Sequence, residues 1–169
     1  GTDRAVFEIG MNHPGEIAQL AAISRPTIAL VNNAHREHQE FMVSVEAVAV
    51  ENAALFAALP DDGTAVFPHG DEFTTLWSDM ARDGAARRCL SFGEHDDADI
   101  GLEHAEWTQG AWQVRVRTPL GGFATRLHIA GRHNVINALA ATACALAAGV
   151  SIDTIAVSYT HLRAHETRG

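Results

Sequence analysis

Short apolar runs alternate with segments of helical period through residue 92, and that alternation restricts this chain's fold more than any other feature. The runs are Ala5–Ile9, Thr27–Val31, Thr64–Phe67 and Arg88–Phe92; between them Pro14–Ile23, Ser44–Leu59 and Glu72–Met80 carry apolar residues at helical spacing. Strand, helix, strand in succession predicts a parallel sheet covered by helices, with right-handed connections. Beyond Gly93 the period changes to two. Trp112, Val114 and Val116 alternate with Gln113, Arg115 and Arg117, and Pro119–Gly122 turns the chain into Phe123, Thr125, Leu127 and Ile129. Residues Asp99–Ile129 are therefore expected to form a small antiparallel sheet appended to the parallel one. Gly131–Ala148 is the strongest helix signal, with Asn134 as its expected N-cap and Gly149 as its stop.

In a parallel sheet, ligands collect at the carboxyl ends of the strands. Glu8 stands near such an end, inside an apolar run. Two readings are open for it: a carboxylate holding a divalent cation, or an acid paired with a buried Arg or with backbone amides. The loop Asn32–Glu40 places His35, His38 and Glu40 at the end of the next strand. Their spacing matches no zinc motif, and a solvated polar loop is the simpler account. Asn52 falls on the apolar stripe of the helix that follows, either as a satisfied core amide or pointing into a site. His133, Asn134 and Asn137 cluster at the start of the long helix, as caps or as amides that match the edge of a base.

Composition narrows the function classes. Twelve basic against 21 acidic residues give a net charge of -9, which disfavours nucleic acid and anionic membranes as partners. All the basic residues are Arg, so no lysine of this stretch does chemistry. Cys89 and Cys144 lie in apolar surroundings without ligand spacing, and both read as structural. No apolar run approaches the ~20 residues of a membrane span, and Gly1–Arg4 do not begin a signal peptide, so a cytoplasmic protein is expected. The absent initiator Met, with an apolar run beginning at once, suggests a piece of something longer. Residues 157–169 break with the preceding pattern, and Val157–Thr167 looks like the translation of a transposon-end sequencing adapter, for which no biological role is expected.

Phe7–Ile17, Ala29–Asn33, His38–Glu40 and Gly131–Ala141 together resemble the central ATP-binding domain of the Mur ligases, and the Asn12–Ile17 run resembles the MurF branch that adds D-alanyl-D-alanine. The resemblance covers about residues 4 to 156 and implies an incomplete central domain over residues 1–156, followed by a non-native tail at 157–169. The implied fold is α/β: a mostly parallel, Rossmann-like sheet flanked by helices, with the antiparallel addition. The implied reaction is ATP-dependent amide formation in peptidoglycan synthesis. The carboxylate of UDP-N-acetylmuramoyl-tripeptide becomes an acyl phosphate, and the amine of D-alanyl-D-alanine attacks it. ATP and Mg2+ are the implied cofactors, and the parent is expected to be a monomer with small-molecule partners only. Carried over by position, Glu8 and His38 would ligate magnesium; Asn134 and Asn137 would contact adenine, with His133 beside them.

Three departures accompany the resemblance. The phosphate-binding Gly-Lys-Thr/Ser loop expected before residue 1 is absent, so the piece alone is expected to be inactive. Asn52 occupies the position of the family's carbamylated lysine, which puts a second magnesium site in doubt; Glu51, next to it, is the alternative donor, although its helical phase points elsewhere. The family's C-terminal domain would begin where the tail does. Two rival readings remain: a folylpolyglutamate synthase-like ligase of the same architecture, and a non-catalytic α/β module that binds a partner through its acidic surface.

Overall fold

The computed structural model describes residues 3–33 and 44–162. Among these residues six strands form one sheet in chain order: β1 (Ile28–Leu30), β2 (Thr64–Pro68), β3 (Arg88–Gly93), β4 (Ile100–Thr108), β5 (Ala111–Thr118) and β6 (Gly121–Leu127). β1, β2 and β3 pair in parallel, and β4, β5 and β6 pair antiparallel. The antiparallel part is continuous with the parallel one. Its junction is a two-residue parallel pairing, Phe92↔Ile100 and Gly93↔Gly101. Parallel neighbours ordinarily need a crossover of a dozen residues or more, yet here β4 begins beside the last residues of β3, so a short loop suffices. That loop is pinned from both sides. Asp99 Oδ2 accepts from Ser91 N at 2.8 Å, and Arg117 donates to the carbonyls of Asp96 and Ala98 at 2.7 and 2.9 Å. β4 and β5 meet through Gln109 and Gly110, both at positive φ (51° and 75°), the backbone that a two-residue type I′ hairpin turn requires.

Helices cover both faces. α2 (Val45–Ala53) and α3 (Thr74–Arg82) bury Ala49, Ala53, Trp77 and Ala81 against Ala29, Val31, Ala65 and Phe67. α4 (Arg132–Ala147) and α5 (Ile152–His161) bury Val135, Leu139, Ile155 and Tyr159 against Val66, Leu90, Phe92 and Ile100 on the other side. Ala65 and Phe67 thus face one layer and Val66 the other, which is why this strand reads as an unbroken apolar run. α1 (Glu16–Ser24) packs outside α2, with Met11, Ile17 and Val48 in a small core of their own. No helix of the described residues is long and apolar enough to cross a membrane.

Three sequence expectations change. The run 5–9 is not a strand: it has no regular secondary structure and pairs with no described strand, and Val6 and Phe7 are exposed. An apolar run without a hydrogen-bonded neighbour has no ladder to hold it as a strand. Asn134 is not the N-cap of α4. The helix starts three residues earlier, at Arg132 with Gly131 as the cap, and Asn134 N donates to Gly131 O within the first turn. Gly149 does end this helix: its N–H donates to Leu146 O and that of Val150 to Ala145 O, the paired bonds of a Schellman motif. Third, the helical pattern does not stop at 156. α5 continues to His161 because Tyr159, four residues after Ile155, stays on the buried stripe, where its hydroxyl donates to Ala138 O at 2.7 Å and lies 3.0 Å from Thr142 Oγ1. Residues 163–169 lie outside the described structure.

Candidate functional site

The carboxyl ends of β1, β2 and β3 open onto one shallow cavity of about 240 Å³. Asn32 and Asn33 follow β1, His69 and Asp71 follow β2, and Glu94 and His95 follow β3; Ile136 of α4 closes one side. This is the crevice in which open α/β sheets bind ligands. The His69 and His95 rings lie 5.6 Å apart across it. Sequence reasoning missed His69, Glu94 and His95. Each follows a run already read as a strand, so the strand-end rule applied to every strand would have found them.

The start of α4 borders this edge and carries the amide cluster. Asn32 Nδ2 donates to Asn137 Oδ1 at 3.1 Å, and Asn134 Nδ2 donates to Ala130 O at 2.7 Å. Between them, Asn137 Nδ2 faces Asn134 Oδ1 at 3.5 Å. His133 is exposed, and its ring occupies the place of a side chain on Gly131: a Cβ there would meet His133 Cε1 at 2.5 Å, and φ is 94°. Arg132 pairs with Glu94, with both side chains about half exposed (55% and 46%), an arrangement that contributes little stability in water. Its guanidinium also lies 5.9 Å from the centre of the Trp112 ring. Asn137 is exposed, so its amide retains a second N–H and a second lone pair for a ligand.

Asn52 resolves as a satisfied amide: its Nδ2 donates to Asn33 O at 3.2 Å, joining α2 to the end of β1. Glu51 is engaged as well. Its Oε1 accepts from Gly15 N at 2.8 Å and Ile17 N at 3.4 Å, placing the carboxylate on the positive end of α1. It is therefore a clamp between two helices. Burial pushes the Cys144 thiol up to about 11, and burial, with Asp99 adding and Arg82 opposing, raises that of Cys89; both stay protonated and unreactive at neutral pH.

For magnesium the structure describes only one of the two expected donors. Glu8 is exposed and, among the described residues, makes no hydrogen bond or ion pair; it does not line the cavity. His38, like His35 and Glu40, lies outside the described residues. Among the described residues no group of three or more His, Cys, Asp and Glu is arranged to hold a metal ion. Magnesium keeps several waters and takes one or two carboxylates together with phosphate oxygens. An exposed carboxylate without a partner fits that chemistry.

Glu16 shows how the preceding turn is held. Its Oε2 accepts from Asn12 N at 2.6 Å and His13 N at 3.0 Å, and its Oε1 lies 3.2 Å from His13 Nδ1. The Asn12 and His13 amides hold this carboxyl below its usual 4.5. A folded value below the unfolded one means the contribution is complete above pH 4.5 and disappears as pH falls through the lower folded value. Glu16→Gln is accordingly expected to be less stable than the parent at pH 7 and to match it once both carboxyl states are protonated; denaturant titrations across this range test it. A constant difference down to the lowest pH would rule this out.

Residues 1–145 match the sequence profile of the Mur ligase middle domain. The chain is 32% identical over 163 residues to UDP-N-acetylmuramoyl-tripeptide--D-alanyl-D-alanine ligase of Escherichia coli, an alignment spanning 96% of this chain and 35% of that enzyme. MurF from Acinetobacter baumannii superposes with a TM-score of 0.86 at 29% identity, over 95% of this chain and 34% of that one. MurF from Thermotoga maritima, solved in complex with ADP, is alike in fold, with a TM-score of 0.78 at 21% identity over 91% of this chain and 34% of that one. The chain thus spans about a third of the length of the relatives it matches.

Proposed function

Because the chain belongs to the Mur ligase family, as its middle domain, we propose that the protein it comes from is a MurF-type ligase. Its reaction joins D-alanyl-D-alanine to UDP-N-acetylmuramoyl-tripeptide at the expense of ATP, through an acyl phosphate. The observation that carries this is the polar start of α4 beside the carboxyl ends of β1–β3, where Asn32, Asn134 and Asn137 present amides next to an open cavity. His133, Asn134 and Asn137 are assigned to the nucleotide base, and Glu8 and His38 to magnesium, which when bound would neutralise phosphate charge. What the described residues supply is orientation: the Asn134 and Asn137 amides match a base edge carrying a donor next to an acceptor, while Asn52 and Glu51 tie α2 to the two segments that bear the site. On this reading the enzyme works in the cytoplasm, the compartment that supplies ATP and the nucleotide-linked substrate, and it is assigned as a monomer.

The stretch 1–156 is assigned to the middle domain and 157–169 to an added tail, whose first residues complete α5. A read of the source locus across residue 156 decides this: a different continuation supports the assignment, and Val157–Gly169 in genomic context overturns it. For the activity, ADP release by the parent protein should require both the nucleotide-linked tripeptide and D-alanyl-D-alanine. Release that ignores the dipeptide would remove the MurF assignment. The 169-residue chain alone is expected to bind Mg-ATP in the millimolar range or more weakly, and micromolar binding by calorimetry would contradict that.

A further inference from the structure

The three asparagine amides at this edge form a chain whose polarity is set from both ends. A backbone carbonyl only accepts, so the bond from Asn134 Nδ2 to Ala130 O turns Asn134 Oδ1 toward Asn137. Asn137 then offers Nδ2 to Asn134 and Oδ1 to Asn32, whose Nδ2 donates to it across 105 positions of sequence. An isolated asparagine amide is free to rotate by half a turn, exchanging donor and acceptor; its neighbours decide which face it shows. On α4 the carbonyl of Ala130 and the amide of Asn32 make that decision together for Asn137.

Resting on the assignment of Asn137 to the nucleotide base, we infer that Asn32 is a positioning residue that sets base selectivity by holding the Asn137 amide in one orientation. Adenine carries a donor at N6 beside the acceptor N1, whereas hypoxanthine carries the acceptor O6 beside the donor N1–H. An amide locked in one sense favours one pattern and opposes the other, because a mismatched partner leaves a polar group without a bond. Asn32 itself is exposed, so replacing it leaves no cavity in the core. Asn32→Asp converts the donor into an acceptor of nearly the same size. The two ends then conflict: Asn137 can keep its Nδ2 on Asn134 or turn it toward the new carboxylate, so the single orientation it shows to the base in the parent is lost.

The test is a titration of the 169-residue chain with adenosine 5′-monophosphate and with inosine 5′-monophosphate, following the Asn134 and Asn137 amide resonances by NMR. The parent chain is expected to prefer the adenine nucleotide by about tenfold, the ratio that one hydrogen bond of ordinary strength gives. Asn32→Asp should weaken adenine nucleotide binding by about the same factor and abolish or invert the preference, while Asn32→Gln, which keeps a donor amide, should retain it. A parent-like preference in Asn32→Asp overturns the positioning role while leaving the base site standing. If the adenine nucleotide, carried well above the millimolar range expected for this chain, moves neither resonance in the parent, the base assignment falls, and the role of Asn32 falls with it.

Discussion

Replacing Glu8 by Ala in the full-length ligase is expected to lower the rate of amide formation by about a hundred- to a thousandfold, the loss that follows removal of one charge-stabilising group at a phosphoryl-transfer centre. The expectation rests on what Glu8 lacks. Among the described residues it has no partner and it is exposed, so it holds no part of the core together. A carboxylate within an apolar run that engages none of the described residues is available to a cation. The same observation separates a functional loss from a folding one: the melting temperature of Glu8→Ala should stay within about 1 °C of the parent, as for other surface substitutions. Magnesium titration adds a second readout. If Glu8 is a ligand, the variant should need far more magnesium for half its residual rate. A rate within about twofold of the parent, at any magnesium concentration, removes Glu8 from the site.

The layered α/β frame was legible because its signals are local. β2 reads as an unbroken apolar run and β3 carries Cys89, Leu90 and Phe92 close together, while the alternation of Val114 and Val116 with Arg115 and Arg117 marks a sheet with one wet face. What was not legible depends on partners distant in sequence. The run at residues 5–9 has strand composition, yet pairing needs a neighbour that no local pattern reveals. Asn134 has cap chemistry, but the glycine three residues earlier takes the cap because its positive φ suits the entry of the chain. The site divides in the same way. Asn134 and Asn137 were visible as a polar pair on an apolar helix, whereas the bond from Asn32 to Asn137 exists only once β1 and α4 are side by side. Glu51 makes the point most sharply. Its position beside Asn52 makes it a candidate metal donor, yet its carboxylate is held by amides of the Gly15–Ile17 turn. Helical phase turns Glu51 away from the Asn52 side, and only the packing of α1 on α2 supplies its partner.

Trp77→Ala is expected to cost about 3–5 kcal/mol of folding stability, the usual range for emptying a large aromatic site. Trp77 is fully buried between α3 and the sheet, 6.0 Å from the Phe73 ring, and its Nε1 donates to Ala49 O on α2 at 3.1 Å. One side chain therefore fills the α2–α3 layer and also fastens its two helices to each other. A domain of this size has about 5–15 kcal/mol in total, so the variant should lose a large share of its stability, with its denaturant midpoint lowered by about a fifth or more. Trp77→Phe separates the two contributions: it keeps most of the ring, gives up the bond to Ala49, and is expected to lose about 1–2 kcal/mol. A loss below about 1 kcal/mol in Trp77→Ala would mean that the layer repacks freely and that Trp77 is not its anchor. The consequence reaches the site, because α2 also carries Asn52, whose amide holds Asn33 O at the end of β1, one residue from Asn32. Loosening α2 should therefore shift the Asn32 and Asn33 amide resonances in Trp77→Phe, which stays folded, whereas those of β5 and β6, beyond β3 in the same sheet, should not move.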